Sequence, residues 1–279
     1  MTTLKTVLIT GCSSGIGYHC AQQLHNNDHY HVIASCRKPE DVQRLKNEGL
    51  TSIQLDLNCS KSIHAAVEET LSLCDGNLYA LFNNGAYGQP GAIEDLTRDT
   101  LRAQFETNLF GWLELTNTLL PHMHNQGYGR IIQNSSVLGI AAMPFRGAYN
   151  ASKFALEGLT DTLRQELSST PIHVSLIEPG PITSKFRLNA LTALEANIDT
   201  QASRFAAYYP ASIKKLAQQG PVIRFTLGPE AVYTKLLHAL ESDKPKARYY
   251  VTLLTYVIGY LKRILTTAAM DRLLINAGK

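Results

Sequence analysis

Tyr149 and Lys153 stand four positions apart in the run Tyr149-Asn150-Ala151-Ser152-Lys153, at the head of a segment in which Leu156, Leu159, Leu163 and Leu167 recur at helical spacing. A helix over this segment puts the phenol and the ammonium on one face. A free phenol titrates near 10, about three units too high for ready proton exchange at neutral pH, and a neighbouring cation that favours the phenolate closes part of that gap. Thirteen residues before the tyrosine, Ser135-Ser136 follow the apolar run Ile131-Ile132-Gln133-Asn134. A strand ending there delivers the Ser136 hydroxyl beside the helix, where it can hold a substrate oxygen while Tyr149 gives or takes the proton. A Tyr-x-x-x-Lys pair by itself is common on helix surfaces; the serine at this distance is what gives it meaning.

A second group of residues suits a phosphate. Thr10-Gly11-Cys12-Ser13-Ser14-Gly15-Ile16-Gly17 follows the strand-like run Thr6-Val7-Leu8-Ile9 and opens a helical segment. Glycines in that context let the backbone approach a pyrophosphate at a helix N-terminus, so Gly11, Ser13, Ser14, Gly15, Ile16 and Gly17 read as a dinucleotide cradle. Cys12 reads as a small apolar filler within it. The next strand ends in Ser35-Cys36-Arg37-Lys38, with no acid to take a ribose 2′-hydroxyl and with a guanidinium suited to a 2′-phosphate. Arg37 and Lys38 therefore favour NADP(H) over NAD(H).

The elements that position these groups alternate along the chain. Apolar runs at 6–9, 32–34, 52–55, 79–82, 130–132 and 174–177 are separated by segments of helical length, which predicts parallel strands joined by right-handed crossovers. The expected fold is α/β: one Rossmann-like, doubly wound parallel sheet of about seven strands with helices on both faces, forming a single domain over 1–279. After Pro179-Gly180-Pro181 the rhythm breaks, and residues 183–228 read as a less regular insertion before a helix from about Glu230 and a last strand near Arg248–Thr252. Phe186, Leu188, Leu191, Leu194, Phe205, Tyr208 and Tyr209 give that insertion enough apolar surface to act as a substrate lid.

Composition narrows the function classes. With 44% hydrophobic and 18% charged residues the chain is neither disordered nor fibrous. No apolar stretch reaches the roughly 20 residues of a membrane span. The five cysteines, all within the first 74 positions and without paired metal spacing, predict a reducing, cytoplasmic setting. His122-Met123-His124 lacks further ligands nearby, so no metal is expected. Residues 1–199 carry 14 Lys/Arg against 19 Asp/Glu, whereas residues 200–279 carry 12 against 4. That basic tail, apolar from about residue 253, has no nucleic-acid motif; it is read either as a packing or subunit interface, or as a peripheral contact with an anionic membrane.

Taken together the sequence resembles the short-chain dehydrogenase/reductase family over residues 4–253, in its single-domain Ser-Tyr-Lys branch. The Thr10–Gly17 loop, Asp56, Asn83-Asn84, Asn108-Leu109-Phe110-Gly111, Ser136, Tyr149, Lys153 and Pro179-Gly180 all fall in the family's order. Glu178-Pro179-Gly180-Pro181-Ile182 and Arg248-Tyr249-Tyr250 are similar to the branch of 17β-hydroxysteroid and retinol dehydrogenases. The run Arg224–Ala231 is closer to bacterial YbbO-type NADP-dependent aldehyde reductases. The resemblance implies a catalytic tetrad of Asn108, Ser136, Tyr149 and Lys153, with Asn108 positioning a water of the proton relay and Lys153 acting with an oxidised nicotinamide on the phenolate. It implies that Asp56 contacts the adenine, that Ile182 and Ser184 border the nicotinamide and phosphates, and that Leu57, Asn83, Pro179 and Gly180, with Tyr149 and Lys153, complete the cofactor set. The implied reaction is NADP(H)-dependent hydride transfer to a hydrophobic aldehyde or ketone; the alternatives are a hydroxysteroid or retinol substrate, or a non-catalytic dinucleotide sensor, which would have no use for a poised Ser136–Tyr149–Lys153 set. One departure stands out. The family's Asn-Asn-Ala-Gly is Asn83-Asn84-Gly85-Ala86 here, and a positive φ at the fourth position would strain Ala86 by about 1 kcal/mol.

Overall fold

A computed structural model describes residues 4–218, 220 and 225–277. Seven parallel strands form one sheet in the order β3-β2-β1-β4-β5-β6-β7. They are β1 (Lys5–Ile9), β2 (Tyr30–Cys36), β3 (Thr51–Gln54), β4 (Leu78–Asn83), β5 (Gly129–Asn134), β6 (Ile172–Glu178) and β7 (Arg248–Tyr250). The first half of the connections uses α1 (Gly15–His25), α2 (Pro39–Asn47), α3 (Ser60–Leu73), α4 (Arg98–Phe105) and α5 (Gly111–Gln126). The second half uses α6 (Gly147–Glu166), α7 (Phe186–Asn197), α8 (Tyr209–Ala217), α9 (Glu230–Glu241), α10 (Leu253–Ile264) and α11 (Thr267–Ala277).

Strand alternation decides the layers. Val7 and Ile9 point into a core with Leu24 of α1, Leu45 of α2 and Leu236 of α9. Leu8 points to the other face, with Ile63 of α3, Leu115 of α5 and Leu156 of α6. Both faces of the parallel sheet are thereby covered, which is why the strands read as continuous apolar runs. From β1 the chain builds outward to β3 and then crosses to β4 on the opposite side, so the carboxyl ends of β1 and β4 diverge and open a crevice for a ligand.

The structure decides three points that the sequence left open. Neither Gly85 nor Ala86 has a positive φ; the non-glycine residues that do are Asp75, Phe145 and Phe225. Ala86 packs against the core and carries no strain. The insertion, expected to be irregular, contains α7 and α8, and several of its apolar residues pack on one another: Leu194 and Tyr209 are buried with Ile198 and Leu216. The tail leaves the sheet after Tyr250 and forms α10 and α11, whose Ile258, Met270 and Leu274 pack on Val137 and Ala141 just beyond Ser136. Arg224 of the 224–231 run and Pro221, near the end of the insertion, lie outside the described residues. No described helix is long and apolar enough to cross a membrane.

Candidate active site

The glycine loop turns through Gly11 at φ +71° and Gly15 at φ +60°, conformations that a side chain disfavours. A Cβ at Gly15 would fall 2.9 Å from Cβ of Ser184. The loop after β6 therefore lies directly over the cradle, held by Thr183 N–H donating to the Leu227 carbonyl at 2.9 Å and by Leu227 N–H donating to that of Pro181 at 3.1 Å. This arrangement brings Gly11, Ser13, Ser14, Gly15, Ile16 and Gly17 together with Ile182 and Ser184. Pro179 accepts from Val137 N–H at 2.8 Å, and Gly180 leaves no room for a side chain against Thr252. A crowded, glycine-rich turn at the N-terminus of α1 fits a dinucleotide pyrophosphate.

Other predicted residues line the same crevice with different roles. Arg37 and Lys38 are exposed at the tip of β2, and Lys38 pairs with Glu40 at 3.5 Å. The Asp56 carboxylate accepts from Asn58 N–H at 3.0 Å and so shapes the turn after β3, with Leu57 buried beside it. The Asn83 side chain is fully buried and donates to Thr116 Oγ1 of α5 at 3.0 Å, which leaves its backbone to serve the cofactor role expected of it. Asn84 has a structural part. Its Nδ2 donates to the Thr10 carbonyl at 2.9 Å, its Oδ1 accepts from Asn134 at 2.8 Å, and its N–H donates to Thr10 Oγ1 at 2.8 Å. One side chain thus ties together the ends of β1, β4 and β5.

The reacting groups converge beyond β5. Helix α6 places Tyr149 and Lys153 on one face, both buried, and the half-buried Ser136 hydroxyl lies beside the phenol. Burial pushes Tyr149 up to about 12, and the contact with Ser136 works against that rise. Lys153 does not offset it directly. Its Nζ donates to the Asn134 carbonyl at 2.7 Å, lies 4.3 Å from the centre of the Trp112 ring and is 5.8 Å from that of Tyr149. Burial lowers the ammonium to about 7, while the Glu157 carboxylate holds it up.

Between α4 and α5 the helix widens into a π turn at Glu106–Phe110, a distortion that recurs at functional sites. Asn108 sits in that turn, buried, with Oδ1 accepting from Tyr87 N–H at 3.2 Å and Nδ2 donating to the Tyr87 carbonyl at 2.9 Å. Its Nδ2 also lies 3.3 Å from Ser152 Oγ, which brings Asn108 to the helix of Tyr149 and Lys153.

Four positioning residues escaped the sequence reading: Asn84, Trp112, Asn134 and Arg44. Trp112, the chain's single tryptophan, donates Nε1–H to the Gly85 carbonyl at 2.8 Å beneath Lys153. Its place one helical turn after Asn108 was a usable signal. Arg44 of α2 reaches the Ser13 carbonyl of the glycine loop at 2.8 Å, across a distance in the chain that no local pattern reveals.

A doubly wound parallel sheet, a glycine cradle under the loop after β6 and a serine set beside a buried tyrosine–lysine pair define a nicotinamide-dinucleotide oxidoreductase. The sequence profile of the family described as short chain dehydrogenase matches residues 5–194, and the chain belongs to that family. It is 45% identical over 270 residues to the uncharacterized oxidoreductase YbbO of Escherichia coli K12, covering 97% of this chain and 94% of that protein. It is 35% identical to human 17-beta-hydroxysteroid dehydrogenase type 1, covering 88% of this chain and 77% of the relative. A short-chain dehydrogenase from Streptomyces avermitilis superposes with a TM-score of 0.76 at 25% identity, over 97% of this chain and 95% of its own.

Proposed function

We propose that this protein transfers hydride between NADP(H) and a hydrophobic aldehyde or ketone, or the corresponding alcohol, with Tyr149 as general acid/base. The observation that carries the reading is that Tyr149 and Lys153, both buried, share one face of α6 with the half-buried Ser136 beside the phenol. The nicotinamide, when bound, supplies or accepts the hydride. Ser136 holds the substrate oxygen, Tyr149 passes the proton to it, and Lys153 favours the phenolate left behind. Asn108 stands next to Ser152 of the same helix, suited to linking this group to a proton relay. These residues form a poised acid, which favours an enzyme over a dinucleotide sensor.

NADP(H) is supported by the exposed Arg37 at the tip of β2 and by the lack of an acid there. A hydrophobic carbonyl is supported by Phe186, whose ring packs edge-on to Tyr149 at 5.3 Å. It is consistent with the steroid in the name of the human relative. Residues 183–228 then act as a lid, and a hydroxysteroid or retinoid is the alternative substrate class. The five cysteines are free, in keeping with a cytoplasmic setting. The deciding experiment is a panel of aliphatic and aromatic aldehydes, ketosteroids and retinoids, followed by NADPH absorbance with Tyr149→Phe as the blank. Turnover by wild type that the variant lacks supports the assignment, and equal rates refute it.

A second reading concerns the tail. Leu253, Tyr256, Val257, Tyr260 and Ile264 form one exposed apolar stripe along α10, next to the basic Lys262 and Arg263. This supports peripheral contact with an anionic membrane. Co-sedimentation with phosphatidylserine vesicles, compared with Val257→Glu/Tyr260→Glu, tests it; equal recovery in the supernatant at low salt assigns the stripe to a subunit interface instead.

A further inference from the structure

Helix α6 carries more chemistry than the tyrosine–lysine pair. Tyr149, Lys153, Glu157 and Asp161 recur every fourth residue along one face. Beyond Lys153 that stripe enters a cluster of charges. Arg248 of β7 pairs with Glu157, with Asp161 at 2.5 Å and with Glu178 of β6 at 2.5 Å. Three carboxylates around one guanidinium leave a surplus of negative charge. Glu157 and Glu178 are both buried, and Glu157 Oε1 and Glu178 Oε2 have no hydrogen-bond partner among the described residues. Burial and the adjacent Glu157 push Glu178 up to about 8, so Glu178 holds the cluster's spare proton at neutral pH.

The cluster sits between the catalytic helix and solvent. Glu157 and Arg248 line a cavity of about 350 Å³ with Lys262 and Arg263 of α10 and Tyr250 of β7. Arg164, one turn beyond, pairs with Asp161 at 2.6 Å. Around Lys153 itself the packed groups are the Trp112 ring from α5, the Asn134 carbonyl from β5 and Tyr149 from its own helix. Of these, none carries a negative charge at neutral pH. Glu157 supplies the one carboxylate acting on the buried ammonium.

We propose that Glu157 is a positioning residue for catalysis, whose carboxylate, one helical turn beyond Lys153 and clamped by Arg248, keeps the buried Lys153 ammonium charged. The consequence rests on the reductase reading above: a charged Lys153 is what makes the Tyr149 proton available and the phenolate tolerable. The clamp also explains why an arginine at the start of β7 is held by carboxylates from two other elements. It fixes Glu157 in place instead of leaving it to the cavity.

The test follows Lys153 itself, so that it does not depend on turnover. In the full chain with 15N-labelled lysine, the Lys153 side-chain resonance, assigned with Lys153→Met, is titrated in wild type, Glu157→Gln and Glu178→Gln. Glu157→Gln is expected to lower the Lys153 midpoint by about one pH unit, the size of a near charge lost from a buried site. Glu178→Gln, which leaves the Glu157 carboxylate in place, is expected not to lower it. With a substrate in hand, the alkaline limb of the reductive pH profile should move down in parallel, making the Glu157→Gln rate about tenfold lower above the limb and within twofold of wild type below it. A midpoint unmoved in Glu157→Gln, or lowered equally in both variants, overturns the proposal. Should Glu157→Gln not fold, Glu157→Asp withdraws the charge by one methylene and should lower the midpoint by a smaller amount; no movement there also overturns it. Wild-type protein without carbonyl reductase activity would refute the reductase reading alone, since the titration still reports on Lys153.

Discussion

The Lys153 ammonium lies 4.3 Å from the centre of the Trp112 ring, and that ring is fixed by its own Nε1–H donating to the Gly85 carbonyl at 2.8 Å. The indole face is thus a second support for the buried cation, from a different helix than Glu157. Trp112→Leu should destabilise the protein by about 3 kcal/mol and lower the Lys153 titration further. Trp112→Phe keeps an aromatic face but leaves the Gly85 carbonyl unpaired, and should cost about 1–2 kcal/mol. Chemical denaturation with lysine-resolved NMR checks both, and a Leu variant as stable as wild type would exclude this support.

Cofactor choice is expected to hinge on Arg37. Arg37→Asp removes a guanidinium from the tip of β2 and sets a carboxylate where the 2′-phosphate would lie. The ratio of kcat/KM for NADPH over NADH should fall by ten- to a hundredfold, equivalent to about 1.4–3 kcal/mol of charge-assisted hydrogen bonding. A ratio unchanged by the substitution would move the role to Lys38 or to another group.

Phe186 occupies the space against the Tyr149 phenol: a Cβ built on Gly88 would meet its Cζ at 2.7 Å and Tyr149 Cδ2 at 3.6 Å, and the two rings pack edge-on. Phe186→Ala should therefore raise kcat/KM for bulky ketones relative to small aldehydes, by about tenfold for a side chain's worth of pocket. Parallel changes for both substrate sizes would show that Phe186 packs the lid without shaping the pocket.

The inverted Gly85-Ala86 order makes a specific demand. Since neither position has a positive φ, exchanging the two relieves no backbone strain. It places a Cβ at 85 within 3.3 Å of the Gly11 nitrogen and of Leu57 Cδ1. The exchange should destabilise the protein by about 1 kcal/mol, read as a lower unfolding midpoint. A gain in stability would mean that the family order suits this turn better than its own.

Glu178 predicts a pH dependence of stability. Folded, it keeps its proton up to about 8, whereas its unfolded value is 4.5. Between those values the native state binds more protons than the unfolded chain, so stability is fully present below the unfolded value and is lost as pH rises toward 8. Glu178→Gln cannot titrate. Relative to wild type it should gain stability with rising pH across this window, on the order of 1 kcal/mol or more at pH 8. Parallel stability curves for the two proteins between pH 5 and 8 would contradict the assignment.

Local pattern was enough for the layered sheet, the glycine turn before α1 and the sharing of one α6 face by Tyr149 and Lys153. Strand alternation, helical spacing and the glycines of a tight turn are written in near neighbours, and the proposed catalytic pair lies on a single helix. The placement of Asn83 and Asn84 could not be read that way: two adjacent asparagines at the end of a strand point to opposite faces, and only packing against Thr116 or against Thr10 and Asn134 shows which one is held by α5 and which one ties the strand ends together. The order of strands, the reach of Arg44 to the glycine loop, the indole under Lys153 and the carboxylates gathered by Arg248 were decided only by the tertiary structure. Each joins residues far apart in the chain, and their energies depend on burial and distance, which a sequence does not contain until it has folded.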